Sequence, residues 1–144
     1  MELTRRITGC LIACMALAWP AAYAEVVPVV SAKCSIATLT DTQLIDIFLG
    51  KESRFPNGEP AMPLDQAEGS EIRDEFYARY ANQSPPQLKA YWSKLIFTGK
   101  SQPPREIVSV PKLRKVLANN PYAISYMRRS EVDGTLRVVE IKEK

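Results

Sequence analysis

The sequence contains no histidine, and this absence removes several kinds of active site at once. Histidine is the usual general base at neutral pH and the commonest metal ligand in proteins. Cysteine is also scarce, because the 144-residue chain has only Cys10, Cys14 and Cys34. We therefore expect no catalytic nucleophile–histidine pair, no bound metal and no cofactor, and we predict that the protein is not an enzyme.

The chain also lacks a strong charge of either sign. Nineteen basic and sixteen acidic residues leave a formal net charge of +3, and no basic block stands out. Nucleic-acid-binding proteins usually carry a basic patch or stripe, so we expect no nucleic-acid partner. After the N-terminal segment, no hydrophobic run is long enough to cross a membrane.

The N-terminal segment has the features of an export signal. Two arginines precede an apolar run at residues 7–19, and the small-x-small tripeptide Ala-Tyr-Ala ends at Ala24. This pattern predicts a signal peptide of residues 1–24 and a periplasmic mature protein. The alternative is a lipoprotein, because the four residues ending at Cys14 resemble a lipobox. The apolar run continues past Cys14, which favours ordinary cleavage after Ala24.

Residues 25–144 have the length of a single domain. Cys34 is the only cysteine in this part of the chain, so it has no partner for an internal disulfide. An exported protein with one cysteine either pairs between chains, exposes a reactive thiol or buries the residue as a small apolar side chain. We expect Cys34 to be buried.

Hydrophobic periodicity predicts strands that alternate with helices, which is typical of an α/β domain. The predicted strands are 26–30, 61–64, 107–110, 123–127 and 136–141, with a turn at Asp133-Gly134 between the last two. The predicted helices start after Thr40, Ser70 and Ser84 and at Pro111.

Capping residues mark the starts of these helices. Thr40 with Gln43, and Ser84 with Gln87, have the spacing of capping boxes. Gly50 is placed to end the first helix. Ser70 is a third favourable N-cap residue, and it starts a helix in the stretch "PLDQAEGSEIRDEF".

This stretch is the main candidate for a binding site. Gly69 and Ser70 at a helix start place backbone N–H groups beside a hydroxyl, which is how many proteins bind small anions. The alternative is a capped helix without a ligand. Glu71, Asp74 and Glu75 are favourable at the positive end of the helix dipole. Their negative charges would compete with a bound anion for that positive end.

The order and spacing of four motifs carry a resemblance to a known family. "LTDTQLIDIFLGK", "FPNGEPAMPLDQAEGSEIRDEF", "YWSKLIFTGK" and "NPYAISYM" follow one another between residues 39 and 127. The sequence resembles the periplasmic phosphate-binding proteins of ABC transporters, and more closely their short single-lobe relatives. The resemblance implies an α/β fold, namely one lobe of a periplasmic binding protein type II with a small mixed sheet flanked by helices.

The resemblance also implies an incomplete binding site. Full-length members close two lobes on phosphate, whereas this chain has the length of one lobe. A homodimer or another protein would have to supply the second wall of the cleft.

The ligand motif of the family is altered in this chain. The family has Arg, three residues and Ser-Gly-Thr; here Gln66 takes the Arg position, Ser70 the Ser position, and Glu71 and Ile72 follow. In the second recognition loop of the family, Ser125 replaces a glycine. Losing one guanidinium and gaining a carboxylate is expected to lower phosphate affinity by a factor of hundreds.

Two functions follow from these observations. The first is an exported phosphate ABC transporter substrate-binding-like protein that binds phosphate or another small oxyanion weakly, at Gln66, Gly69, Ser70, Glu71, Ile72 and Ser125. Its partner would be a membrane transporter or sensor protein. The alternative is a periplasmic protein-interaction or sensory accessory module that has lost ligand binding.

Overall fold

The computed structural model describes residues 24–143. The predicted signal peptide, apart from Ala24, and the alternative lipid-anchored Cys14 lie outside the described residues. Within residues 24–143, no helix is long and apolar enough to cross a membrane.

Seven strands, four α-helices and a short 3-10 helix (Arg129–Glu131) form the regular structure of the described residues. The strands are β1 (Val26–Ser31), β2 (Thr38–Thr40), β3 (Met62–Asp65), β4 (Arg105–Glu106), β5 (Ala123–Arg128), β6 (Leu136–Val138) and β7 (Glu140–Lys142). The helices are α1 (Asp41–Phe48), α2 (Glu71–Ala81), α3 (Pro85–Phe97) and α4 (Val110–Asn119).

The main sheet is mixed and has five strands in the order β4-β3-β5-β1-β6. Strand β3 runs parallel to both β4 and β5, and β1 runs antiparallel to β5 and β6. A second, two-stranded parallel sheet joins β2 to β7. The predicted α/β class, with a small mixed sheet flanked by helices, is confirmed.

A hydrophobic core lies on each face of the main sheet. Every residue of β1 is buried, and its valines alternate between the two cores. Val26 and Val30 pack in the core that contains residues of α1, α2 and α3, whereas Val27 and Val29 pack in the core that contains α4. A strand covered on both faces reads as the continuous apolar run seen in the sequence. Cys34 is buried as predicted.

The helix starts predicted after Thr40, Ser70 and Ser84 are confirmed. Thr40 Oγ1 accepts the backbone N–H of Gln43 at 3.2 Å, and the Gln43 side chain accepts the backbone N–H of Thr40 at 3.0 Å. Ser84 and Gln87 form the second capping box at the start of α3. These local bonds satisfy N–H groups that have no partner inside the helix.

The predicted strand at 107–110 was wrong, because none of these four residues lies in a strand. Strand β4 ends at Glu106, and Ile107 adds one further backbone bond, from its N–H to Asp65 O at 2.8 Å. Ser109 then caps α4 by accepting the Lys112 N–H at 3.4 Å. The helix therefore begins at Val110, because a capping serine followed by proline favours a helix start over an extended strand.

The predicted strand at 136–141 is divided in two at Val139. Its first part, β6, pairs with β1, and its second part, β7, pairs with β2. Strand β1 lies between β5 and β6, so the Asp133-Gly134 turn does not join neighbouring strands. Strand β2 was not predicted, because its three residues precede α1 directly and read as the approach to the helix cap.

Gly50 is expected to be the least replaceable glycine that follows a helix. It has φ +68°, and an added Cβ would lie 2.5 Å from Ser101 Oγ and 3.3 Å from Trp92 Cη2. We expect Gly50→Ala to lower the free energy of unfolding, measured in urea, by about 2–3 kcal/mol, since both backbone strain and a close contact oppose it.

Gly99→Ala is the matched control. Gly99 has φ +66°, but nothing lies within 4 Å of its added Cβ. The free energy of unfolding of the control should therefore fall only by the cost of the left-handed conformation, about 1–2 kcal/mol. Equal losses in the two variants would contradict the close contact of Gly50 with α3 and the following loop.

Candidate functional site

The three parallel strands of the main sheet end at one edge, and each ends on a charged residue. Strand β3 ends at Asp65, β4 at Glu106 and β5 at Arg128. Ligands of open α/β sheets bind in the crevice outside the carboxyl ends of the strands. We call this region the carboxyl edge, and it is where the fold makes a binding site most accessible.

A cavity of about 310 Å³ lies at the carboxyl edge. One part of its wall is charged, and it is formed by Asp65, Glu68, Arg73, Lys89 and Glu106. The other part is mainly apolar, and it is formed by Pro85, Trp92, Ile96, Pro103 and Pro104, with Ser93 beside them. The cavity is therefore amphipathic.

Asp65 is the centre of a buried polar network beside this cavity. Its Oδ1 accepts the hydroxyl of Tyr126, and its Oδ2 accepts the hydroxyl of Tyr77 at 2.9 Å and Nε of Arg73 at 3.2 Å. The carboxylate is almost completely buried, and burying a charge is costly unless it is paired and hydrogen-bonded. The network meets both conditions.

The ionisation states of the network support these bonds. Burial raises the pKa of both Tyr77 and Tyr126, and the negative charge of Asp65 raises it further. Burial opposes the charged form of Arg73, but the carboxylate of Asp65 raises the pKa of the guanidinium overall. The two hydroxyls therefore remain protonated donors, and Arg73 remains a cation at neutral pH.

Gln66 lies at the position where the resemblance predicts the family's arginine. Its side chain is turned inward, and its Nε2 donates to the backbone oxygen of Tyr126 at 2.7 Å. Its backbone N–H also lies 3.3 Å from the Tyr126 hydroxyl. The side chain at this position thus binds β3 to β5.

Gly69, Ser70 and Glu71 form the turn into α2. Gly69 has φ +83°, and Ser70 Oγ accepts the backbone N–H of Arg73 at 3.3 Å, which confirms the predicted cap. The Glu71 side chain is 90% exposed, with an oxygen 3.7 Å from Nη2 of Arg128. The added carboxylate therefore lies at the surface and faces a cation.

The last two predicted residues point into the protein. Ile72 packs against the core beneath α2. Ser125 is fully buried in β5, and its hydroxyl donates to the backbone oxygen of Leu64 at 2.7 Å. Their ligand-binding roles remain predictions that these contacts do not test.

The cavity walls come mostly from residues that sequence reasoning did not select. The six predicted residues lie on β5 or around the turn between Asp65 and Arg73, and none of their side chains lines the cavity. Lys89 and Trp92, one helical turn apart on α3, do line it. The signal available in the sequence was this i, i+3 spacing after the Ser84 cap, which also fits a purely structural helix face.

Comparison with known proteins gives a result at the level of the fold. No protein-family model matches the sequence, and no curated protein is significantly similar to it. Solved structures do match. An ABC-type phosphate transport receptor from Vibrio cholerae superimposes with a TM-score of 0.63 at 14% identity, over 81% of this chain and 45% of that one.

Two further solved structures match over a similar share of the chain. A putative phosphate ABC transporter substrate-binding protein with bound phosphate from Clostridium perfringens has a TM-score of 0.62 at 20% identity, covering 81% of this chain and 44% of that one. A possible phosphate-binding protein from Planctomyces limnophilus has a TM-score of 0.60 at 16% identity, covering 82% and 41%.

The described chain spans less than half the length of these solved proteins. The order of motifs in the sequence predicted this relationship, and the structural likeness confirms it as a likeness of fold. The chain therefore has a periplasmic binding protein fold, which it shares with one part of each of these solved proteins.

Proposed function

We propose that the chain is an exported, periplasmic solute-binding-like protein that binds phosphate or another small oxyanion weakly at the carboxyl edge. The observation that carries the proposal is the Ser70-capped start of α2 at this edge, in a fold shared with a receptor solved with bound phosphate. The proposed protein has no catalytic activity, and its partner is a membrane transporter or sensor.

The start of α2 offers hydrogen-bond donors to an anion. The first N–H groups of a helix have no partner inside it. Here the Arg73 N–H is bound by the Ser70 hydroxyl and the Asp74 N–H by the Ser70 carbonyl oxygen. The N–H groups of Glu71 and Ile72 and the hydroxyl hydrogen of Ser70 remain to be donated to a ligand.

The same geometry limits the affinity. The nearest guanidinium, that of Arg73, uses its Nε to bind Asp65, and the side chain of Gln66 is turned inward. A hydrogen bond to a charged group contributes about 1.5–3 kcal/mol, so a site without a dedicated arginine is weaker by a factor of ten to a hundred or more. We therefore propose a dissociation constant in the millimolar range.

Calorimetric titration of the purified protein with inorganic phosphate tests this function. The informative variant is Ser70→Gly, because glycine is nearly as good an N-cap as serine but has no hydroxyl to donate. We expect Ser70→Gly to weaken phosphate binding about tenfold. Ser109→Gly, at the equivalent cap of α4, is the matched control, and it should leave phosphate binding unchanged.

Absence of a binding signal at tens of millimolar phosphate, with the fold verified by circular dichroism, would overturn the proposal. Equal phosphate affinities of Ser70→Gly and the wild type would place the anion elsewhere and overturn the site.

A further inference from the structure

The apolar half of the cavity has no role in binding a bare oxyanion. Pro85, Ile96, Pro103 and Pro104 face the cavity beside the indole of Trp92. Inorganic phosphate is fully polar, so it gains nothing from contact with such a wall. A ligand with a carbon body would gain about 25 cal/mol for each Å² of apolar surface removed from water.

Trp92 provides a second, independent observation. The side chain lines the cavity although the residue is only 5% exposed, and its indole N–H has no hydrogen-bond partner among the described residues. Buried polar groups in native proteins are nearly always hydrogen-bonded, and leaving one unsatisfied is unfavourable. The nitrogen itself is closed to solvent, so an acceptor atom brought by a ligand would satisfy this donor only after the ring turns toward the cavity.

The charged half of the cavity contains two cations, Arg73 and Lys89, that can bind an acidic head group on that ligand. Arg73 contacts Asp65 only through Nε, and within the described chain its two Nη groups make no hydrogen bond. Lys89 Nζ is 3.8 Å from Glu68, and both side chains are largely exposed at the rim. Such an exposed pair is weak, so the ammonium is available to a second anion.

The cavity wall contains three carboxylates and two cations. Asp65 is paired with Arg73, and Glu68 with Lys89. Glu106 accepts the backbone N–H of Glu68 at 3.3 Å, which holds its Oε2 on the turn that precedes α2. An entering anion is repelled by Glu106, and it needs apolar contact in addition to charge to bind measurably.

We propose that the cavity takes a small organic anion, with its acidic oxygens bound by Arg73, Lys89 and the Trp92 N–H and its carbon body against the Trp92 and proline wall. This inference rests on the proposed anion binding at the carboxyl edge. It places the acidic group in the cavity, beside the Ser70 turn, and it narrows the ligand class from an inorganic oxyanion to an organic acid. Phenyl phosphate is the probe that carries both features.

The test compares three probes on the full chain carrying Trp19→Phe, so that Trp92 is the sole tryptophan. Phenyl phosphate, inorganic phosphate and benzyl alcohol are titrated by calorimetry, and the emission of Trp92 is followed in parallel. We expect phenyl phosphate to bind at least about tenfold more tightly than inorganic phosphate and to change the Trp92 emission. Benzyl alcohol, which has no acidic group, should give no saturable change.

Two lysines on α3 make a matched pair of variants. Lys89 lines the cavity, whereas Lys94 does not, and both are exposed on the same helix. Lys89→Gln should weaken phenyl phosphate binding by about three- to tenfold. Lys94→Gln should leave it unchanged. Trp92→Phe keeps an aromatic ring and removes the N–H, and calorimetry should show a further loss of similar size.

The possible results separate the two proposals. Equal affinities for phenyl phosphate and inorganic phosphate would overturn the organic-anion inference and leave the proposed function standing. Binding of phenyl phosphate without inorganic phosphate would support the inference and overturn phosphate as the ligand. Binding of neither phosphate probe would overturn both proposals. Tight binding of benzyl alcohol would overturn the organic-anion inference alone. Equal effects of Lys89→Gln and Lys94→Gln would also overturn it.

Discussion

Replacing Asp65 by alanine is expected to lower the free energy of unfolding by about 3–5 kcal/mol, because the change leaves a largely buried cation without its partner. Asp65 receives hydrogen bonds from Arg73, Tyr77 and Tyr126. Without the carboxylate, the guanidinium and two buried hydroxyls lose their acceptor together. The loss is a large part of the stability of a domain of this size.

Urea unfolding followed by circular dichroism measures this loss, and Asp46→Ala is the matched control. Asp46 pairs with Lys51 at 3.5 Å on the surface of α1, where the two side chains are 31% and 55% exposed. Exposed pairs contribute about 0–1 kcal/mol, so the control should be nearly as stable as the wild type. Similar losses in the two variants would show that the Asp65 network does not exist as described.

The second large effect is expected at alkaline pH. Burial and the charge of Asp65 raise the pKa of Tyr77 and Tyr126 in the folded protein, whereas both titrate near 10 in the unfolded chain. Their contribution to stability is complete below about pH 10 and is lost as the pH rises above it. Above about pH 10, the free energy of unfolding should fall by about 1.4 kcal/mol per pH unit for each tyrosine. The loss for the pair is then roughly 4 kcal/mol at about pH 11.5.

The measurement is the free energy of unfolding in urea between about pH 9 and 11.5. Tyr77→Phe and Tyr126→Phe should each reduce the alkaline slope by a similar amount, and the double variant should lose both contributions. The double variant is less stable at every pH, because Asp65 loses two hydrogen-bond donors. This difference does not affect the slope of the unfolding free energy against pH. An unchanged slope in the double variant would contradict the buried, protonated state of the two tyrosines.

The parts of the fold that depend on neighbouring residues were predictable from the sequence. The capping pairs Thr40–Gln43 and Ser84–Gln87 are three residues apart, and Ser70 caps the turn that it begins. Helix starts of this kind are determined by side-chain to backbone bonds within one turn. The continuous apolar run of β1 likewise indicated a strand buried on both faces.

Strand pairing was not predictable in the same way. Strands β2, β4 and β7 have two or three residues each, which is too short for an alternating pattern. Their extended conformation comes from partners far away in the chain, such as β7 for β2. The Asp133-Gly134 signal correctly indicated a turn, but a turn alone does not determine which strands become neighbours.

The candidate site shows the same division. Reading the motif residue by residue located the turn from Gln66 to Ile72, because that comparison needs only sequence order. It did not reveal the acceptor network, in which Asp65 meets Tyr126 from a strand that is distant in sequence. Nor did it reveal that α3 brings Lys89 and Trp92 to the carboxyl edge, since helix packing decides that placement.

The central position of β1 has a consequence for how the protein is made. The first strand of the described chain forms its sheet bonds only with β5 and β6, which are among the last strands. A nascent polypeptide that has emerged only as far as α4 therefore holds an apolar segment without either of its partners. Compaction must wait until nearly the whole chain has left the ribosome, and long-range pairing of this kind slows folding. A chain that folds late stays extended for longer, which is compatible with the export that we propose.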